Sequence, residues 1–406
     1  MQDKRCLFSN MKPRIFQRVL CAAIVVLLAC SHFGVCAQNN SPVPLKIAVL
    51  APLYLDSAFD GMNYKLGNTS IPRYFLNGLE FYNGVMMAID SLQKEGVNAE
   101  LWIYDTKAKG KTSESIAAEM GTMRFNLVIA SFTSAQEQRV FSEFSFSNSI
   151  PLVSATYPND AYVSGNPYFI MINSSLKTHI EAIYRYTQRN YPIGKYIFIT
   201  RKGPLEDKIM QLFSDEGKKM SALNYKTLQL GDNFTAADIV AQLDSNRQNV
   251  VICGSLDEAF GTNLVKALDQ TTSYQLVLIG MPTWDALRAV YKTENDKLEV
   301  VYSTPYRYDK SNKTVDAISQ SYKLKFNGRP GYMFFKGFET MFNFTHLMNK
   351  YNPGMMQHLS DNSFEIANNF QFQPVKLDDK AATPDYIENK KLYFIHIFQG
   401  TIRAVY

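Results

Sequence analysis

Two stretches about twenty residues apart share one design. LVIASFTSA (127–135) and IPLVSATYPND (150–160) each run an apolar segment into a cluster of small hydroxyl residues with an aromatic among them. Hydroxyls both donate and accept hydrogen bonds, and the N-terminus of a following helix adds free backbone N–H groups. Ser131, Thr133, Ser134, Ser154 and Thr156, flanked by Ala155 and walled by Phe132 and Tyr157, are therefore candidates to hold a polar or anionic head group. The plainer alternative is that these residues cap the next helices, for which SAQEQ is a good start signal; one residue can do both. Catalytic motifs are missing: there is no H-E-x-x-H, G-x-S-x-G, phosphate-loop or C-x-x-C motif, the histidines outside the N-terminal segment lack metal-ligand spacing, and among the many carboxylates no glycosidase-like pair stands out at strand ends. Neither catalytic residues, nor a metal, nor a cofactor are expected. Asp105, ending LWIYD, is the strongest lone carboxylate, and such a residue commonly caps the following helix.

The chain that must position these groups has 406 residues, 46% hydrophobic and 19% charged, enough for two lobes or domains. Its formal charge of +5 is concentrated at the start, where the first 37 residues hold five of the 42 basic and one of the 37 acidic residues. The remainder is close to neutral, which argues against nucleic acid as a partner. The same segment reads as a secretory signal: basic MKPRIFQR, apolar VLCAAIVVLLAC, then Val35-Cys36-Ala37 with small residues at the cut. Cleavage is expected after Ala37. The competing reading takes LLAC as a lipobox, with Cys30 lipidated and the protein anchored to a membrane only through it. Either way the mature protein is expected outside the cytoplasm. Of five cysteines, Cys253 alone would remain, so no disulfide framework is expected; in NVVICGSL it reads as a core residue rather than a nucleophile.

From Leu45 onward, apolar runs alternate with segments of helical period, the pattern of βαβ units around parallel sheets. LKIAVLA, AELWIYD, NLVIAS and IPLVSA are expected strands of a first lobe, with FYNGVMMAIDSLQK, SESIAAEM and QEQRVFSEFSFSN as its helices. KYIFIT, NVVICGS, QLVLIG and LEVVYST are expected strands of a second, with helices at PLEDKIMQLFSDEGKK, LDEAFGTNLVKALDQ and TWDALRAVYKT. The Phe-rich stripe of YMFFKGFETMFNFTHLMNKY reads as core, and KLYFIHIFQGTIRAVY as a terminal hairpin. The insert SAFDGMNYKLGNTSIPRYFLNGLE exceeds an ordinary strand-to-helix connection and lies by topology at a cleft edge, as a lid or a docking surface.

The order and spacing of LKIAVLAPLYLD, FYNGVMMAIDSLQKEG, LVIASFTSAQEQRVFSEFSFSNSIPLVSATYPND, NPYFIMIN and GYMFFKGFETMFNFTHLMNKY resemble the type I periplasmic binding proteins of the leucine/isoleucine/valine class. FYNGVMMAIDSL in particular is similar to exported substrate-binding-like proteins common in Bacteroidota. The resemblance implies an α/β fold of two Rossmann-like lobes with parallel sheets, joined by three hinge crossovers near Ile172, Thr304 and Tyr351. Lobe one would comprise 44–171 plus 306–351, and lobe two 172–305 plus 352–406, after a signal peptide at 1–37. It also implies a small-molecule ligand in the cleft and a membrane transporter or sensor as partner, with a non-transport envelope scaffold as the alternative. Ser131 to Ser134 and Ser154-Ala155-Thr156 match the family's lobe-one carboxylate site. Lobe two departs from the pattern: Arg201-Lys202-Gly203 stands where an aromatic is usual, Gly254-Ser255-Leu256 where a Tyr often follows, and Gly280-Met281-Pro282-Thr283-Trp284 carries no acid before Asp285, which is expected inside a helix. The implied cleft is thus lined by Tyr54, Phe132, Tyr157, Thr283 and Trp284, with Arg201, Lys202 and Ser255 favouring an anionic or sugar-like solute over a free amino acid.

Overall fold

In the computed structural model, residues 43–67, 71–158, 162–309, 311–399 and 401–405 are described. The signal and lipobox expectations fall outside them. The first sheet begins with β1 (Leu45–Ala51), followed by a two-stranded ribbon, β2 (Phe59–Asp60) and β3 (Asn63–Tyr64), which stands apart from it. It continues with β4 (Ala99–Asp105), β5 (Leu127–Ala130), β6 (Leu152–Ser154) and β7 (Phe169–Met171). The second sheet takes β8 (Lys195–Thr200), β9 (Tyr225–Gln229), β10 (Asn249–Cys253), β11 (Leu276–Gly280) and β12 (Leu298–Thr304). The chain then returns to the first sheet for β13 (Phe372–Val375) and β14 (Tyr386–Asn389), and ends in the second with β15 (Tyr393–Phe398) and β16 (Thr401–Val405).

The resulting orders are β13-β14-β7-β6-β5-β1-β4 and β16-β15-β12-β11-β10-β8-β9. All pairings within the central strands are parallel; β13, β15 and β16 join antiparallel at one edge of each sheet. Parallel pairing explains the unbroken apolar runs. Val49 of β1 lies opposite both Ile103 of β4 and Ile129 of β5, and β5, β6, β10 and β11 are buried throughout, as strands covered on both faces must be.

Three departures from the sequence reading stand out. The third crossing between lobes falls at Lys390–Leu392, between β14 and β15, rather than near Tyr351. Residues 372–389 therefore extend the lobe-one sheet, whereas 352–406 were expected in lobe two. The segment TWDALRAVYKT forms two short 3-10 turns, Pro282–Ala286 and Arg288–Lys292, broken at Leu287 by an extended backbone, and not an α-helix. The long insert is shorter than it reads, because the helix Arg73–Lys94 takes its last third.

Helix Arg73–Lys94 crosses helix Tyr332–Tyr351 on the face of the lobe-one sheet, and the crossing is set by two glycines. A Cβ on Gly84 would lie 2.0 Å from the Phe334 carbonyl oxygen, and one on Gly337 2.2 Å from that of Phe81. Only a residue without a Cβ allows the backbones so close. Phe334, Phe338 and Phe344 then fill the core beneath, as the stripe implied.

Candidate functional site

The crossovers leave from the carboxyl ends of β7, β12 and β14, so the two sheets are joined along their carboxyl edges. In open α/β sheets that edge is where ligands bind. Residues following strands in opposite lobes meet there. The ammonium of Lys208, on the second-lobe helix Pro204–Lys219, donates to the Tyr162 hydroxyl in the loop after β6 at 3.2 Å.

On the lobe-one side the hydroxyls divide by role. Thr133 gives its N–H (2.7 Å) and its hydroxyl to the carboxylate of buried Glu137, which also receives the Lys107 ammonium at 2.6 Å. Ser134 caps the helix Ala135–Asn148 by accepting from Glu137 N. Buried Ser154 donates to the Tyr157 carbonyl at 3.0 Å. What is left is a pair, Ser131 and Thr156, whose hydroxyl oxygens lie 3.3 Å apart across β5 and β6; Thr156 also donates weakly to the Phe132 carbonyl at 3.3 Å. These long contacts leave both hydroxyls with capacity for a further partner. Phe132 is 3% exposed and stacks on Phe141 within the lobe core, so it is not a cleft wall. Tyr157 is half-buried against the same core.

Asp105 does not cap the helix after it. Its carboxylate accepts from the backbone N–H groups of Leu53, Tyr54 and Leu55 at 2.8–3.1 Å and from that of Lys107. It thereby holds Tyr54 in a left-handed conformation (φ 53°), half-buried at the sheet edge with its ring against Tyr74.

On the lobe-two side the expected basic half-site is consumed internally. Arg201 lies within 3.1–3.4 Å of Glu206, Asp232 and Asp257. Ser255, fully buried, donates to Glu206 at 2.7 Å and accepts from Asp257 N. Lys202 and Thr283 are exposed. Trp284 folds back over Gly280 and Gly261 and is fully buried in the lobe-two core, so it too is no cleft wall. Cys253 is buried, and desolvation pushes its thiol up to about 12, which leaves it unreactive.

The residues that sequence reasoning missed lie between the lobes. The Tyr306 hydroxyl, in the second crossover, donates to the carbonyl of Ala155, next to Thr156. The Lys336 ammonium lies 4.0 Å from the centre of the Tyr306 ring and 4.9 Å from that of Tyr332. Lys336 belongs to the helix whose phenylalanines read as core, and its charge was lost in that stripe. It is the one lysine or arginine between Tyr332 and Met348, a signal that was available. Asp285, expected inside a helix, instead sits exposed on the 3-10 turn after β11, within electrostatic reach of Lys336. Among the described residues no group of three His, Cys, Asp or Glu is placed to hold a metal ion, and no helix is long and apolar enough to cross a membrane. Two cavities lie away from this edge. One of about 770 Å³ opens at the opposite ends of the lobe-two strands, around Lys195, Tyr225 and Arg247.

No protein-family model and no curated protein matches the chain. Solved structures do. A branched-chain amino acid ABC transporter periplasmic ligand-binding protein from Burkholderia xenovorans superposes with a TM-score of 0.61 at 11% identity, over 89% of this chain and 94% of that one. An ABC transporter substrate-binding protein from Desulfitobacterium hafniense, in complex with leucine, gives 0.57 at 13% identity over 89% and 100%. A solute-binding protein from R. palustris, in complex with benzoate, gives 0.53 at 12% identity over 89% and 96%. The chain has the two-lobed fold of the type I periplasmic binding proteins.

Proposed function

We propose that the protein is an exported, non-catalytic solute-binding protein that captures a small polar or anionic molecule between its lobes and presents it to a membrane transporter or sensor. One observation carries this reading: two α/β lobes joined at their carboxyl edges by three crossovers, with the half-buried Thr156 hydroxyl at that edge and buried Ser131 paired behind it. Proteins of the same fold hold leucine or benzoate. The hydroxyl pair and neighbouring backbone groups bind the polar head, and Tyr54 and Tyr157 border it. With Arg201 held by three carboxylates, lobe two contributes Asp285 in place of a basic patch.

Native mass spectrometry of the mature protein, purified gently from its own envelope, tests this. A small adduct lost on denaturation is the expected result. An empty protein whose melting temperature is unmoved by amino acids, sugars and small carboxylates would overturn it. A second reading, an envelope scaffold that docks on another protein, is favoured by the exposed side chains of Met62, Tyr64, Ile71 and Tyr74 in the insert. Crosslinking from that segment in intact cells would then capture one envelope protein, with no solute effect on the yield.

A further inference from the structure

We propose, on the footing of the solute-binding reading, that Lys336 is the anion-recognition group of the interlobe cleft, and that the solute carries a carboxylate or phosphate seated on this ammonium between the Tyr306 and Tyr332 rings. Lys336 is 8% exposed, yet no hydrogen-bond acceptor or carboxylate among the described residues meets its ammonium. A buried lysine ordinarily reaches a carboxylate or snorkels to water. Here two tyrosine faces hold the charge in place, an attraction that strengthens when water is excluded but leaves all three N–H donors unspent. Asp285 is near enough to influence Lys336 electrostatically but forms no salt bridge with it, so a gap remains between the two charges across the lobes.

The position fits the hydroxyl pair. Tyr306, the ring beneath the ammonium, is itself bonded to the Ala155 carbonyl, so Lys336 stands one tyrosine's length from Thr156. An anion there would meet a charge from one element and hydroxyls from another, both in lobe one. Asp285 opposite would repel it or accept from a donor on the solute's far end. Burial lowers the lysine to about 8, with Asp285 pulling it back up, so at neutral pH the amine still carries its proton. The glycine crossing fixes the placement: Gly337, the next residue, is locked against the Phe81 carbonyl.

The test compares wild type, Lys336→Met and Lys336→Arg, using succinate, inorganic phosphate and uncharged succinamide as probes. An ammonium kept for a ligand destabilises the empty protein, so Lys336→Met is expected to raise the melting temperature without ligand by about 4 °C. The same variant is expected to weaken succinate or phosphate binding by at least tenfold, while Lys336→Arg stays within a few-fold of wild type. A fall in the melting temperature of empty Lys336→Met would show that Lys336 is structural and overturn the assignment. Equal anion affinity in wild type and Lys336→Met would overturn it too. So would a neutral adduct on the gently purified protein, which would leave the solute-binding reading standing. No adduct and no response to any probe would remove both.

Discussion

His179 and Glu339 give the two lobes opposite responses to pH. His179 lies in lobe two, 2% exposed, with its Nδ1 2.8 Å from the Ser303 hydroxyl. Burial lowers its pKa from 6.5 to about 3, with the Glu388 charge acting against the shift. A histidine with a depressed folded pKa takes its proton more readily when unfolded. Its stabilising contribution is therefore full above about pH 6.5 and is lost as pH falls toward 3. Between pH 7.5 and 5.0 the loss amounts to about 2 kcal/mol. Glu339, in lobe one, is pushed from 4.5 up to about 7 by burial, against hydrogen bonds from Ala367 and Asn368. An acid with a raised folded pKa contributes most below about pH 4.5 and loses that contribution as pH rises through 7, so going from pH 7.5 to 5.0 returns about 2 kcal/mol to lobe one. The chain carries one tryptophan per lobe, Trp102 in β4 and Trp284 after β11. Urea unfolding followed by fluorescence of the Trp102→Phe variant reads lobe two, and of Trp284→Phe reads lobe one. The lobe-two midpoint should fall and the lobe-one midpoint rise on acidification. His179→Gln should abolish the first response and Glu339→Gln the second. A lobe-two pH response unchanged by His179→Gln would refute the reasoning.

Thr156→Val removes a hydroxyl whose own bonds are long, so on the solute-binding reading affinity by calorimetry should drop about tenfold while the melting temperature stays nearly fixed. Gly84→Ala drives a methyl group into the Phe334 carbonyl, and denaturant unfolding should show a loss of about 3 kcal/mol. Arg201→Ala strands the nearly buried Glu206 beside Ser255, so stability should fall by about 2 kcal/mol with affinity unchanged; a lost affinity would return Arg201 to the site.

What the sequence made legible were the parts where pattern and burial coincide. β1, β5, β6, β10 and β11 are apolar because both faces are covered, and the hydroxyl clusters read after β5 and β6 lie at the carboxyl edge of their sheet. β13 and β14 escaped notice for a physical reason. FQPV is a half-exposed edge strand containing a proline, and YIEN buries a glutamate and an asparagine whose partners, Ser175, Thr178, Ile172 and Gln371 among them, lie outside the strand. Lys336 and Glu339 vanished into a phenylalanine stripe because periodicity reports which face is buried and says nothing of which buried group lacks a partner. Trp284 and Phe132 were read as walls since a strand end places an aromatic near the cleft, yet a glycine at 280 and a ring at Phe141 draw them inward. Arg201 shows the converse: its charge was visible, but its three acidic neighbours come from separate segments.

On the solute-binding reading, the crossovers bear on how tightly the solute is held. Glu388, 1% exposed in the third crossover's approach, accepts from Ser175 N and the Thr178 hydroxyl, both at 2.7 Å, and from Lys390 at 2.5 Å. The Asn389 carbonyl accepts from Ser174, and its side chain donates to Ile172. Crossovers one and three are thus sewn into one ribbon. The second is pinned separately to lobe one, through Tyr306 on Ala155 and Arg307 N on Asn368. The lobes touch at Tyr162 and Lys208 in this same conformation, and on the solute-binding reading the ribbon's bonds would favour it over a more open arrangement in which the ribbon twists. Glu388→Gln keeps an acceptor but removes the charge opposing Lys390. The shut population should drop, and solute affinity with it, by about fivefold, or about 1 kcal/mol. Scattering from the empty protein should show a larger radius of gyration. If Glu388 is only a structural tie, the variant will lose stability while affinity and radius stay as they were, and the hinge ribbon would have no part in setting the strength of capture.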